Sequence, residues 1–261
     1  MRIGSLFSGI GGLELGLEWA GVGTPVWQVE QSAYCRAVLA RHWPDVERFE
    51  DVRSVGAHNL ASVDLLCGGF PCQDVSSAGK RAGLAGARSG LWFEYLRVVR
   101  ELRPAFVVVE NVASGARAWV DTVCQGLGEQ GYACLPVPLA AADVGASHER
   151  ARVFIVAAHT DADSKLARPK HAEVARTQAA PDLDRAQLWL EPGRRRGEGG
   201  TYPALSGFPG WRTSEPNMVR MVHGVSRRLD KPTARRQALG NAVVPQCAEV
   251  IGHIIQILAE P

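Results

Sequence analysis

The chain has 261 residues, 46% of them hydrophobic and 21% charged. That balance is globular and excludes disordered, collagen-like and low-complexity classes. The net charge of +2 by itself identifies no partner. No apolar run reaches the roughly 18 residues expected of a membrane span. The start MRIGSLFSGIGG lacks the charged and apolar regions of a signal peptide, and Arg2 rules out a Met-Gly acylation start. A cytoplasmic protein with no membrane partner is therefore expected. Cys35, Cys67, Cys72, Cys124, Cys134 and Cys247 form no C-x-x-C pair, so free thiols are expected and no metal.

In chain order, residues 1–159 alternate between strand and helix. Arg2–Phe7 reads as a short apolar strand, followed by a Gly-rich turn and a helix through Leu13, Leu15, Leu17 and Trp19. Pro25–Val29 is a second strand, after which Ser32 can cap a helix. Asp64–Cys67 reads as a buried strand ending at Gly68-Gly69, and apolar spacing from Leu91 to Leu102 predicts a helix. Phe106–Val109 has the fully apolar character of a strand covered on both faces. A helix near 116–130 and strands near 132–137 and 153–158 complete the unit. Such alternation implies an α/β doubly wound sheet, with ligands at the C-terminal strand ends. From 160 to 231 the periodicity stops. Regular structure is expected to return at Ala242, where Val243, Val250, Ile251, Ile254, Ile255 and Leu258 share one helix face.

Four sites along this framework carry chemistry. Phe7-Ser8-Gly9-Ile10-Gly11-Gly12-Leu13 lies between strand and helix, where glycines let backbone N–H groups approach a ligand. A simple tight turn would look the same. Glu30 ends the next strand, where an acid can bind ribose hydroxyls, and the pair favours an adenosine-containing ligand. The strict G-x-G-x-x-G pattern of a dinucleotide site is missing. Gly68-Gly69-Phe70-Pro71-Cys72-Gln73 sets a thiol at the sheet edge. A lone Cys is usually a small buried hydrophobe, but here it is also a nucleophile candidate. Gln73, Ser76, Lys80, Arg81 and Arg88 belong to the polar, glycine-rich loop beside it, suited to a phosphate backbone. Glu110-Asn111-Val112 ends an apolar strand, where a carboxyl can keep its proton. Strand alternation puts Arg150 and Arg152 on one face, able to hold a carboxylate, a phosphate or a base carbonyl, or to form surface ion pairs.

Charge is unevenly spread. Residues 161–236 hold 15 Lys and Arg against 9 Asp and Glu. This suits a region that meets a polyanion, or equally a solvated insert. Arg194-Arg195-Arg196, flanked by glycines, is better suited to clamping phosphates than to the rigid geometry of base reading.

Together F-S-G-I-G-G, G-G-F-P-C-Q, E-N-V, R-A-R and Ala238-Leu239-Gly240-Asn241-Ala242-Val243-Val244-Pro245 resemble, in order, the motifs of DNA (cytosine-5) methyltransferases. The likeness spans 1–158 and 226–261. It implies a Rossmann-like, mostly parallel sheet of the S-adenosylmethionine-dependent methyltransferase fold, with a catalytic and cofactor domain at 1–159. It further implies a target-recognition insert at 160–231 and a returning segment at 232–261. By resemblance, Cys72 is the nucleophile toward C6 of cytosine, Glu110 engages N3 and the exocyclic amine, and Arg152, with Arg150 nearby, holds the base. Phe7, Ser8, Gly9, Gly11, Gly12, Glu30, Asp51, Pro71 and Asn241 are implied cofactor contacts for S-adenosyl-L-methionine. Gln73, Ser76, Lys80, Arg81, Arg88, Arg194, Arg195 and Arg196 are implied DNA contacts. A monomer acting on double-stranded DNA in a bacterial or phage-infected cell follows, and a cognate restriction nuclease stays open as a companion. Two departures stand out: Ser147-His148 where the family often has Pro-Gln, and polar Gln31 after the ribose acid. An RNA-directed relative, a catalytically dead DNA-binding protein and a nicotinamide or flavin oxidoreductase are the competing readings.

Overall fold

A computed structural model describes residues 1–71, 90–160 and 232–259. Seven strands alternate with helices: β1 (Arg2–Leu6), α1 (Gly12–Trp19), β2 (Thr24–Val29), α2 (Ala33–His42), β3 (Glu47–Phe49), β4 (Leu65–Gly68), α3 (Gly90–Leu102), β5 (Phe106–Val112), α4 (Ala116–Glu129), β6 (Tyr132–Ala140), β7 (Ala151–His159), α5 (Pro232–Asn241) and α6 (Pro245–Ala259). The sheet order is β3-β2-β1-β4-β5-β7-β6. The β1–β2, β1–β4, β2–β3 and β4–β5 pairs are parallel. Only β7 runs against its neighbours, β5 and β6. The chain builds outward from β1 to β3, then crosses back to place β4 on the other side of β1. That reversal opens a crevice at the C-terminal ends of β1 and β4.

Both sheet faces are covered, which is why the central strands are apolar without alternation. Leu66, Val107 and Val109 pack with Trp92, Tyr95, Trp119 and Val123 from α3 and α4. Leu65, Val108 and Phe154 pack on the opposite face with Leu13, Leu17, Ile251 and Ile255 from α1 and α6. Ser32 caps α2, its Oγ accepting the Cys35 N–H.

Two sequence expectations change. Helix α5 begins at Pro232, ten residues before regular structure was expected to return; Ala238 alone of its described side chains is buried, so it carries little apolar periodicity to detect. Thr233–Ala259 also reaches the length and mean hydropathy of a membrane-spanning helix, contrary to the expectation of no such stretch. Here it is two helices broken at 242–244, and the apolar residues Cys247, Ala248, Ile251 and Ile255 serve to pack α6 on the body.

The α1–α6 contact depends on helical glycines that otherwise cost stability. A Cβ on Gly16 would lie 2.0 Å from the Pro245 carbonyl oxygen, and one on Gly12 would lie 2.2 Å from that of Val243. Gly16→Ala should therefore destabilise the protein by about 1–3 kcal/mol and lower the midpoint of thermal unfolding. Gly128→Ala, with nothing near its added methyl, should leave the midpoint unchanged or raise it. Equal midpoints for Gly16→Ala and wild type would contradict this packing.

Candidate active site

The turn after β1 is built from left-handed backbone: Phe7 has φ 55°, Gly9 57° and Gly11 87°. The Gly9 N–H donates to Glu30 Oε2 at 2.8 Å, and the Ser32 N–H donates to Glu30 Oε1 at 2.7 Å. Glu30 thus ties the turn after β1 to the turn after β2. Asp51 accepts the Arg53 N–H at 3.0 Å and caps a short 3-10 turn beside them. Together with Pro71, Glu110, Arg152 and Asn241, these elements line one cavity of about 410 Å³, in the size range of small-molecule sites.

Of the nine expected cofactor contacts, Phe7, Gly9, Glu30, Asp51, Pro71 and Asn241 line this cavity, and Ser8, Gly11 and Gly12 do not. Ser8 turns its hydroxyl inward, to Ser5 Oγ at 2.9 Å. Gly11 gives room to Trp43, where a Cβ would fall 2.3 Å from the ring, and Gly12 gives room to Val243. These residues shape the turn from behind.

The other half of the cavity is set by β5 and β7. Their antiparallel register pairs Glu110 with Phe154 and Val112 with Arg152. Glu110 and Arg152 are therefore diagonal neighbours on one face, and Arg152 Nε lies 2.9 Å from Glu110 Oε1. Burial pushes the Glu110 carboxyl above its ordinary range; Arg152 and Arg150 pull it down without cancelling the effect. Gly69 packs so closely that a Cβ there would fall 2.5 Å from Glu110 Oε2.

Arg150 does not join Arg152. It precedes β7 with φ 38°, which breaks the alternation expected through 150–152. Its Nη1 donates to the Gly240 carbonyl at 2.8 Å and its Nη2 to that of Ala242. Cys72, Gln73, Ser76, Lys80, Arg81, Arg88, Arg194, Arg195 and Arg196 lie outside the described residues.

The sequence reading missed several contributors. Asn111 Nδ2 donates to the Phe70 carbonyl at 3.1 Å, and Phe70 lies against Trp92 and Trp119 with ring centroids 5.8 and 6.0 Å away. These contacts hold the segment that leads into Cys72. Asn111 was visible in the E-N-V motif, but its partner was not. Gln237 and Ala238 of α5 also line the cavity; Ala238 opens the Ala238–Pro245 block but was given no contact, and Gln237, outside that block, had no predicted helix to place it.

A family model described as C-5 cytosine-specific DNA methylase matches residues 1–191. The chain is 33% identical over 195 residues to the Type II methyltransferase M2.BsuMI of Bacillus subtilis, covering 70% of this chain and 47% of that protein. It is 36% identical over 188 residues to the Type II methyltransferase M.AquIA of Picosynechococcus, covering 64% of this chain and 75% of that one. It spans about half the length of the Bacillus relative and of a Neisseria gonorrhoeae Type II methyltransferase, M.NgoPII. Among solved structures, the Entamoeba histolytica methyltransferase EhMeth superposes with a TM-score of 0.53 at 17% identity, covering 64% of this chain and 55% of that one. That likeness shows the fold.

The ionisation of Glu110 is directly measurable. Carbon-13 NMR of the carboxyl should give a midpoint above the ordinary 4.5, and Arg152→Met should raise it further by removing the countercharge. Because the folded value exceeds the unfolded one, this group's contribution to stability is full below the unfolded pKa. It is lost as pH rises through the folded pKa, and the loss should be larger in Arg152→Met. A midpoint at or below 4.5 in wild type would contradict the burial argument.

Proposed function

Because this chain belongs to the C-5 cytosine-specific DNA methylase family, we propose that it transfers a methyl group from S-adenosyl-L-methionine to C5 of a cytosine turned out of duplex DNA. The observation that carries this reading is the single cavity joining the Gly9–Glu30–Asp51 end to the Glu110–Arg152 pair. One end suits an adenosine and the other a pyrimidine edge, and the reaction needs both in reach of each other.

The residues present fit the cofactor. Left-handed Gly9 keeps the turn open, with nothing within 4 Å of where a Cβ would stand. The Glu30 carboxylate is fixed by two backbone N–H groups and suits ribose hydroxyls. Asp51 suits the adenine amine, and Phe7 and Asn241 line the same space. When bound, the cofactor supplies an electrophilic sulfonium methyl.

The chain's own groups would prepare the base. C5 of cytosine is too weak a nucleophile unaided. The Cys72 thiolate would add to C6 while Glu110, whose pKa burial raises, places a proton at N3. This makes C5 electron-rich enough to form the new carbon–carbon bond to the methyl group. Loss of the C5 proton to a base then drives the C6–sulfur electron pair back to Cys72, and N3 returns its proton to Glu110. Arg152 would orient Glu110 and the base together. Such acid–base assistance is worth about 10²–10⁴ in rate. Flipping the base costs a few kcal/mol. Phosphate contacts from Lys80, Arg81 and Arg88, and from Arg194, Arg195 and Arg196, would offset that cost.

In this reading residues 1–159 and 232–261 form the catalytic body and 160–231 the target-recognition insert, acting as a cytoplasmic monomer on double-stranded DNA. The relatives' designation as Type II methyltransferases supports a restriction nuclease as companion.

Duplex DNA carrying 5-fluorocytosine tests the nucleophile. Fluorine cannot leave as a proton, so the thioether should persist as a denaturation-resistant adduct in wild type and be absent in Cys72→Ser. An adduct that survives Cys72→Ala would remove Cys72 from the mechanism. Separately, Glu110→Gln should keep cofactor binding by calorimetry while turnover falls by about 10²-fold or more. Wild-type turnover in that variant would remove Glu110.

A further inference from the structure

The start of β7 sends two arginines in opposite directions. Arg152 goes to Glu110, in the base half of the cavity. Arg150, turned by its left-handed backbone, goes to the C-terminal end of α5. Helix α5 supplies Ala234, Gln237, Ala238 and Asn241 to the cavity wall. It is nevertheless poorly anchored by apolar contact: Ala238 is its one buried described side chain, and Leu239 is 55% exposed. The two carbonyls that Arg150 binds, Gly240 and Ala242, flank Asn241. They stand at the end of the helix, where carbonyls lack helical partners and a cation is favoured. Arg150 is partly buried, and burial lowers its pKa; a guanidinium keeps its charge in proteins all the same.

We propose that Arg150 is a positioning residue that clamps the end of α5, sets Gln237, Ala238 and Asn241 over the adenosine half of the cavity, and so couples cofactor binding to the strand that holds the base. The identity of the cofactor rests on the function proposed above; the clamp itself does not. Arg150 is not among the cavity-lining residues, and both its terminal nitrogens donate to the Gly240 and Ala242 carbonyls. Its effect is therefore on where the wall stands, not on the reacting atoms.

The experiment uses the 261-residue chain, with Arg150→Ala and Arg150→Lys, and S-adenosyl-L-homocysteine as the calorimetric probe. Arg150→Ala should weaken binding, and raise the KM for S-adenosyl-L-methionine, by about tenfold or more, the scale of lost charge-assisted hydrogen bonds. Its kcat at saturating cofactor should stay within about threefold. Arg150→Lys, which keeps the charge and can reach a carbonyl, should restore much of the affinity. Amide hydrogen exchange should quicken across 238–248 in Arg150→Ala and stay unchanged in β5. Unchanged exchange would overturn the clamp. Quickened exchange with unchanged binding would overturn the coupling. A fall in kcat at unchanged KM would place Arg150 on the substrate instead. Should Arg150→Ala fail to fold, Arg150→Met, which keeps the aliphatic stem but removes both donors, decides by the same readouts. If wild type binds no S-adenosyl-L-homocysteine, the functional reading fails and the coupling with it, while the exchange measurement still decides the clamp.

Discussion

The ion pair between Glu110 and Arg152 depends on one strand running the wrong way. In a wholly parallel sheet the strand beyond β5 would begin at the opposite edge, and a residue near its start would be a strand's length from the end of β5. Because β7 is antiparallel, its first residues meet the last residues of β5. Arg152 then reaches Glu110 at 2.9 Å. Burial raises the pKa of the carboxyl, and the cation beside it fixes it in place. Burial and countercharge act against each other here, and burial wins. Removing either influence changes what the group can do.

The rest of the site is arranged around that edge. The reversal of strand order between β1 and β4 puts the Gly-rich turn and the G-G-F-P segment side by side. Glu30 accepts N–H groups from two different turns and so fixes the distance between them. Asn111, next to Glu110 in the chain, holds the Phe70 carbonyl, so the strand that carries the acid also anchors the segment leading to Cys72. The antiparallel strand, the glycine turn and α5 meet at one cavity. None of the three would make a site alone.

Much of this was legible in the sequence because it is local. Apolar strands ending in Gly, Glu or Asn gave the order of elements and put Gly9, Glu30 and Glu110 at one edge. What escaped was set by contacts between distant segments. Strand β3 has three residues, with no pattern of its own, and exists through its pairing with β2. A Cβ on Gly11 or Gly12 would meet Trp43 or Val243, so packing also requires these glycines, which their place in a Gly-rich turn does not reveal. Arg150 and Arg152 looked like a pair, because alternation assumes that the strand includes both. Glu14, in the first turn of α1, would pass for a surface acid. It is wholly buried, within 3.5 Å of Gln28 Nε2, and burial raises its carboxyl above the ordinary range.

The central claim is that this sheet edge directs a methyl group to carbon 5 of cytosine. The most direct measurement incubates the chain with S-adenosyl-L-methionine labelled in its methyl group and unmethylated duplex DNA, digests the DNA to nucleosides and separates them. The label is expected in 5-methyldeoxycytidine. Label on the exocyclic amine of cytosine or adenine, or transfer to RNA with none to the duplex, would contradict it.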